Sequence, residues 1–221
     1  MDKQEEILIE ATADGSHTLY IPSIDEHYHS IKGALAESNH VYIDTCWRKA
    51  AVEFGQVRLF EVGFGTGLNA ALTAAVAFNE KIPTVYFSAE LHPLNPSVIS
   101  ALDYSSHTPF HAEIIKAEWG IPVEIHPYFI LIKLADNFLT MNLPDGINAV
   151  YYDAFAPEKQ PEMWSSGCIE RIRSHMIDRG VLSTYCAKGI IRRRLQSAGF
   201  TVERLPGPPC GKREILRATA E

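Results

Sequence analysis

The fold of this chain is decided by residues 57–69, which read Val57-Arg58-Leu59-Phe60-Glu61-Val62-Gly63-Phe64-Gly65-Thr66-Gly67-Leu68-Asn69. Residues 57–62 are mainly apolar, as is typical of a buried strand. Glycines at 63, 65 and 67 let the backbone turn sharply and let a ligand approach it closely. A predicted helix follows from about residue 67 to 79. This strand, glycine turn and helix predict a ligand site at the carboxyl edge of an α/β sheet.

The remaining sequence continues the alternation of strands and helices. Further strands are predicted at 84–89, 129–134, 149–152 and 180–185, with helices at 97–119, 161–178 and 190–198 and a closing β pair at 201–205 and 213–218. Such alternation predicts a mostly parallel sheet covered on both faces. We expect seven strands, the C-terminal one antiparallel.

The first 45 residues differ from this pattern. Two short apolar runs, 7–10 and 17–21, flank Asp14-Gly15, which is a strong hairpin signal. We therefore divide the chain into an N-terminal β-rich extension, 1–45, and an α/β domain, 46–221. Residues 42–54 are predicted to be helical, with Trp47 and Val52 facing inward.

Composition limits the classes of protein to consider. The chain has 221 residues, with 46% hydrophobic and 21% charged, as in ordinary globular proteins. No apolar run approaches the roughly 20 residues that span a bilayer, and the acidic N-terminus lacks an apolar signal core. We therefore expect a cytoplasmic protein without membrane association. The four cysteines form no Cys-x-x-Cys pair, and His27 and His29 lack a convincing third ligand, so neither a disulfide nor a metal site is predicted.

Charge is distributed unevenly along the chain. The net charge is −7, yet residues 159–221 hold 12 of the 20 Lys and Arg and only 6 of the 27 Asp and Glu. This asymmetry indicates either a basic face for an anionic partner or a set of solvated helix faces.

Two acids accompany the glycine turn. Glu61 is a poor neighbour for a pyrophosphate but suits a cationic amino group, and Leu68 occupies the position where the dinucleotide motif has its third glycine or alanine. Glu90, at the end of the next strand, can accept hydrogen bonds from ribose hydroxyls. The pattern E-x-G-x-G-x-G resembles that of class I S-adenosylmethionine (SAM) methyltransferases, which have a Rossmann-like fold. The resemblance implies SAM as cofactor, bound by Glu61, Gly63, Phe64, Gly65, Gly67, Asn69 and Glu90, with Asp136 at the adenine.

A second motif narrows the resemblance. The strand ending at Tyr152 leads into Asp153-Ala154-Phe155-Ala156-Pro157-Glu158-Lys159-Gln160-Pro161-Glu162-Met163-Trp164, a stiff loop since prolines fit poorly into strand and helix interiors. Together with residues 61–69 it resembles the methyltransferase domain of the MnmC family, also found as stand-alone MnmD proteins. Gln160 is a mild departure from the family pattern. Segments 25–37, 192–200 and 211–214 also resemble the family, so the resemblance covers nearly the whole chain. Because the chain ends at Glu221, we expect the oxidase domain of bifunctional members to be absent.

The resemblance implies methyl transfer from SAM to the exocyclic amine of 5-aminomethyluridine, with or without 2-thiolation, at the tRNA wobble position. It implies catalytic roles for Asp153 and Phe155, and Tyr28 is expected to line the cleft. Trp164 is a candidate base contact, but core packing is the favoured interpretation of this residue. Further candidate tRNA contacts are Lys159, Lys188, Arg192, Arg193, Lys212 and Arg213. We also expect cooperation with the enzymes that install the aminomethyl group.

Three alternatives remain open at the level of sequence. A methyl- or aminopropyltransferase for a small amine would use the same sheet and an acidic cleft. A non-catalytic nucleotide-binding or RNA-binding module would not need acids at 61, 90 and 153 together. A dinucleotide oxidoreductase is disfavoured by Leu68.

Overall fold

A mixed eight-stranded sheet forms the centre of the molecule. The computed structural model describes residues 6–209, 211 and 213–221. The strands of this sheet are β4 Val57–Val62, β5 Thr84–Ala89, β6 Pro122–His126, β7 Phe129–Leu134, β8 Ile147–Tyr152, β9 Met176–Thr184, β10 Phe200–Pro206 and β11 Glu214–Ala220. Their order is β10-β11-β9-β8-β4-β5-β7-β6. The five central strands are parallel, and an antiparallel hairpin closes each end.

The predicted α/β class is confirmed, but the strand count of seven is one too low. The additional strand is β6, which pairs with β7 at the edge of the sheet. Its first residue is Pro122, and proline is tolerated at the start of an edge strand because no ladder hydrogen bond is required of its nitrogen.

Helices cover both faces of the sheet. The α-helices are α1 Ala34–Ser38, α2 Arg48–Phe54, α3 Leu68–Glu80, α4 Pro96–Ser100, α5 His111–Lys116, α6 Ser166–His175 and α7 Gly189–Ser197. A π-helical segment, Asn39–Trp47, joins α1 to α2, and 3-10 turns occupy Asp103–Ser106 and Pro161–Trp164. In the described part of the chain no helix is both long and apolar enough to cross a bilayer.

The N-terminal residues form a small antiparallel sheet of β1 Leu8–Ala11, β2 His17–Ile21 and β3 Glu26–His27. The predicted hairpin around Asp14-Gly15 is therefore present. The boundary predicted at residue 45 falls inside the helical run from α1 to α2. This run packs into the same core as β4 and α3, with Cys46 and Trp47 fully buried.

The prediction that Val52 faces inward is wrong, because its exposed fraction is 88%. Residues three and four apart share a helix face, so Ala50 and Ala51 lie on the side of Trp47 and are buried, whereas Val52 is rotated away.

Candidate active site

Three parallel strands end at the same level and bring the candidate acids together. Val62 of β4 pairs with Ala89 of β5 on one side and with Tyr152 of β8 on the other. The next residues are therefore Gly63, Glu90 and Asp153, side by side at the carboxyl edge. Backbone bonds continue into this region, from Gly63 N to the Ala89 carbonyl at 3.0 Å and from Asp153 N to the Val62 carbonyl at 3.2 Å. This is the edge at which open α/β sheets bind ligands.

A cavity of about 280 Å³, here called the edge cavity, opens above these strand ends. Its walls carry four carboxylates, and none of its described lining residues is a lysine or arginine. Negative walls favour a cationic ligand and disfavour a pyrophosphate. The predicted site residues that line it are Tyr28, Gly63, Phe64, Gly65, Asn69, Glu90, Asp136, Asp153 and Phe155; Glu162 is the fourth acid.

The glycine turn forms the floor of the edge cavity. Gly63 has φ +93°, and a Cβ there would lie 3.1 Å from the carbonyl oxygen of Asp153. Gly65 has φ +51°, and a Cβ there would lie 3.0 Å from the ring of Tyr28. Glu90 accepts a hydrogen bond from Gly65 N at 3.0 Å and another from His92 N at 3.0 Å. The turn is thus fixed by the acid that follows the neighbouring strand.

Asp153 is held from two elements. Its Oδ1 accepts a hydrogen bond from the Tyr42 hydroxyl at 2.5 Å, and its Oδ2 accepts one from Asn69 Nδ2 at 2.8 Å. Tyr42 lies in the π-helical segment and Asn69 in the first turn of α3. Such bonds favour the ionised carboxylate.

A second cavity of about 220 Å³ adjoins the first. Both cavities are lined by Tyr28, His29, Asp153, Ala154 and Phe155. Tyr28 and Phe155 meet edge to face, with ring centroids 5.2 Å apart. Glu26 and Glu37 add carboxylates to the second cavity. Asp153 is therefore accessible from two sides, as a group that joins two ligands must be.

His29 contributes a neutral polar surface between the cavities. Burial lowers its pKa to about 4, so the ring is uncharged at neutral pH. Its Nε2 lies 2.8 Å from Thr66 Oγ1 in the glycine turn, and this contact ties the N-terminal sheet to the edge of the main sheet.

Comparison with known proteins gives the family that this chain resembles. A family model described as S-adenosyl-L-methionine-dependent methyltransferase matches residues 129–221. The tRNA 5-methylaminomethyl-2-thiouridine biosynthesis bifunctional protein MnmC of Cupriavidus necator is 31% identical over 203 residues, which cover 85% of this chain and 31% of that protein. The MnmC protein of Pseudomonas fluorescens is 32% identical over 216 residues, covering 87% of this chain and 32% of that protein.

The crystal structure of MnmC2 from Aquifex aeolicus superposes with a TM-score of 0.82 and 25% identity, covering 100% of this chain and 72% of that one. In sequence and in fold the chain is therefore similar to the MnmC-related S-adenosyl-L-methionine-dependent methyltransferases. It spans about a third of the length of the curated MnmC relatives it matches. Spermidine synthase from Thermotoga maritima shares the fold alone, with a TM-score of 0.57 at 9% identity.

The edge cavity fits the cofactor of this family. SAM carries a cationic sulfonium and an ammonium group, and the cavity offers carboxylates without opposing cations. Asn69 Oδ1 is buried and has no hydrogen-bond partner among the described residues. A buried acceptor without a partner is costly, and the cofactor's ammonium group is a donor suited to such an acceptor.

Two residues predicted to bind the cofactor lie beneath the cavity. Glu61 is fully buried, accepts a hydrogen bond from Ser88 Oγ at 2.7 Å and does not line the cavity. Burial raises its pKa to about 8, so it is mainly protonated at neutral pH. Gly67 is the N-cap residue of α3, and a Cβ there would lie 2.8 Å from the Ile115 side chain. Gly67 therefore packs closely against α5.

In the MnmC-related motif at residues 153–164, Trp164 packs in the core. Its exposed fraction is 1%, its indole N–H donates to the Phe155 carbonyl at 2.7 Å, and it lines neither cavity. Gln160 Oε1 accepts from Phe155 N at 3.1 Å. Phe155 is thus fixed through both its carbonyl and its amide, which keeps its ring between the two cavities.

The basic residues predicted to contact tRNA lie apart from the cavities. Lys159 is exposed, and Lys188 is paired with Glu158 on the surface. Arg192 and Arg193 lie on α7, where Arg193 is exposed, and Arg213 is exposed before β11. The prediction for Lys212 lies outside the described residues.

Sequence reasoning missed Tyr42, which lies far from both motifs. It also passed over Gln160 and Glu162 as site residues, although both stand in the quoted motif and line the edge cavity. The Asn69 contact with Asp153 likewise joins residues 84 positions apart. The signal for Gln160 and Glu162 was present; that for Tyr42 was not.

Proposed function

We propose that this chain transfers a methyl group from SAM to the exocyclic amine of 5-aminomethyluridine, with or without 2-thiolation, at the wobble position of cytoplasmic tRNA. The observation that carries the proposal is the position of Asp153 between two adjoining cavities, one above the glycine turn and one walled by further carboxylates. The similarity to MnmC proteins supports the choice of acceptor, and the basic C-terminal third of the chain suits an anionic partner.

In this proposal the edge cavity holds the cofactor. Gly63 and Gly65 leave room for it along the backbone, and Glu90 and Asp136 would accept hydrogen bonds from its ribose and adenine. When bound, SAM supplies an electrophilic methyl group on a sulfonium. The other carboxylates that line the edge cavity would attract its cationic part.

The second cavity receives the acceptor. The aminomethyl group arrives as an ammonium ion, which the carboxylates of Asp153, Glu26 and Glu37 attract. An ammonium must lose a proton before its nitrogen can act as a nucleophile, and Asp153 would orient the amine and help take that proton. Phe155 and Tyr28 offer aromatic surfaces to the uracil ring. Holding the two reactants in line supplies much of the rate.

The direct test uses tRNA from cells that lack this activity. Purified protein is incubated with this tRNA and SAM labelled in its methyl group, and the nucleosides are then analysed. We expect label in 5-methylaminomethyluridine or its 2-thio form. Labelling of free polyamines instead of tRNA would replace the proposal with a small-amine transferase. Absence of SAM binding would exclude both.

A further inference from the structure

The π-helical segment Asn39–Trp47 is an unusual feature of this fold. It is 9 residues long, whereas π-helical structure normally occurs as single turns, often at functional sites. Six of its residues are buried. Three contacts fix it to the sheet: Ser183 Oγ donates to the Val41 carbonyl at 2.7 Å, the Cys46 thiol to the Val181 carbonyl at 3.3 Å, and the Trp47 indole to Thr84 Oγ1 at 3.1 Å.

The segment delivers Tyr42 to the active site. The side chain is almost fully buried, and its ring lies 4.9 Å from that of Tyr151. Its hydroxyl reaches Asp153 Oδ1 at 2.5 Å. Burial and the neighbouring Asp153 carboxylate hold the pKa of Tyr42 well above 10. Tyr42 therefore remains a hydrogen-bond donor throughout the physiological pH range.

Several titratable groups surround Asp153. Glu61 and Tyr86 lie near it on β4 and β5, and Tyr185 lies near it after β9; Asp153 helps to raise the pKa of each, so these three groups are mainly neutral at pH 7. On the side of the second cavity the titratable neighbours are Glu26, His27, His29 and Glu37. Carboxylates close together oppose one another's ionisation. Donors from Tyr42 and Asn69 offset this repulsion and fix the plane of the carboxylate.

We propose that Tyr42 is a positioning residue, which orients the carboxylate of Asp153 and keeps it ionised so that it can receive the acceptor amine. The catalytic consequence rests on the proposed function, whereas the contact itself does not. The π-helical segment is then the element that places a hydroxyl at this point, because it brings Tyr42 to Asp153 while its other inward residues are anchored on the sheet.

The test compares Tyr42→Phe with Thr84→Val. The first removes only the hydroxyl that contacts Asp153. The second is a matched control, because it removes the buried hydroxyl that binds Trp47 of the same π-helical segment, at the opposite end of β5 from the site. Three quantities are measured in each protein: the carboxyl ¹³C titration of Asp153, assigned with Asp153→Asn; SAM affinity by calorimetry; and methyl transfer to tRNA against pH.

For Tyr42→Phe we expect the titration midpoint of Asp153 to rise by about one pH unit, the value of a hydrogen bond to a charged group. The acidic limb of the rate profile should move with it, and the rate at neutral pH should fall roughly tenfold, with SAM affinity unchanged. Thr84→Val should match the wild type in all three.

An unmoved midpoint in Tyr42→Phe, whatever its rate, would overturn the proposal, as would an equal effect of Thr84→Val. If the wild type transfers no methyl group to tRNA, the proposed function fails, yet the titration midpoint still decides the role of Tyr42.

Discussion

Asp153 is the side chain that touches both cavities and receives donors from two different elements. We expect Asp153→Ala to lower methyl transfer by roughly a hundredfold or more, the size of a lost acid–base contribution, while SAM binding stays largely intact. Calorimetry and single-turnover transfer measure the two effects. Asp145→Ala, which removes an exposed carboxylate paired with His175, is the control. Equal loss of SAM binding in Asp153→Ala would mean that the acid serves the cofactor instead of the acceptor.

Glu61 gives the molecule a measurable pH dependence. Burial raises its pKa to about 8 from the ordinary 4.5, so the folded state retains a proton that the unfolded chain releases as the pH rises. Its contribution to the free energy of unfolding is complete below about pH 4.5 and is lost progressively up to about pH 8. Glu61→Gln lacks this titration. We expect the free energy of unfolding of the wild type, measured with urea, to fall steadily relative to that of Glu61→Gln from about pH 5.5 to 7.5. If the free energies of the two proteins changed in parallel with pH, the raised pKa of Glu61 would be contradicted.

Individual site residues could be predicted from the sequence where their residue type has few other structural roles in such a position. Gly63 and Gly65 could be identified because their positive φ angles suit glycine, and Asp153 because an acid ends a buried strand. For Trp164 the sequence favoured core packing without deciding it, because a large aromatic residue in a motif suits both base stacking and core packing. In the structure the side chain is buried and its indole N–H donates to the Phe155 carbonyl, so Trp164 is a core residue.

At the scale of elements, the turn from β4 to α3 requires glycine for two distinct reasons. Gly63 and Gly15 both have positive φ, but a Cβ at Gly63 would crowd the Asp153 carbonyl, whereas one at Gly15 would meet nothing within 4 Å. We expect Gly63→Ala to weaken SAM binding at least roughly tenfold, because backbone on the cavity floor must shift. Gly15→Ala should cost about 1 kcal/mol of stability with unchanged SAM affinity. Calorimetry and thermal unfolding separate the two effects, and equal SAM binding by both variants would contradict this account of the turn.

Elements with a strong local pattern were predictable, and those set by tertiary contacts were not. Helix α3 follows from the glycine turn that precedes it, and strands β5 and β7 follow from their apolar runs. β6 was missed because Pro122 lowers its strand propensity, and its pairing with β7 at the sheet edge is a tertiary contact. The end of α6 was placed too late, since β9 begins at Met176 with an irregular stretch that includes Arg179 at φ +67°. The π-helical segment has no sequence pattern that we recognise, which is also why Tyr42 was overlooked.

At the scale of the whole molecule, topology explains why distant motifs form one site. The central strand β4 lies between β5 and β8, so the chain connections that leave β4 and β8 separate on opposite sides and leave a crevice at the carboxyl edge. Both sequence motifs follow strands that border this crevice. The adjacency of residues 61–69 and 153–164 was therefore implied by a parallel sheet, whereas the contributions of Tyr28, Tyr42 and the second cavity depended on how the N-terminal residues fold over that edge.

Charge on the molecular surface provides the last prediction. Many basic residues of the C-terminal third are already engaged in ion pairs, such as Arg204 with Glu214 and Arg217 with Glu203. Arg193 is exposed on α7, so it is better placed to neutralise a tRNA phosphate. We expect Arg193→Ala to weaken tRNA binding and to lower the slope of log affinity against log salt by about one. Arg204→Ala, with its guanidinium 3.6 Å from Glu214, should leave both nearly unchanged. Fluorescence titration over a range of salt concentrations measures the tRNA affinity and its salt dependence. Equal slopes for Arg193→Ala and the wild type would mean that Arg193 on α7 does not contact a tRNA phosphate.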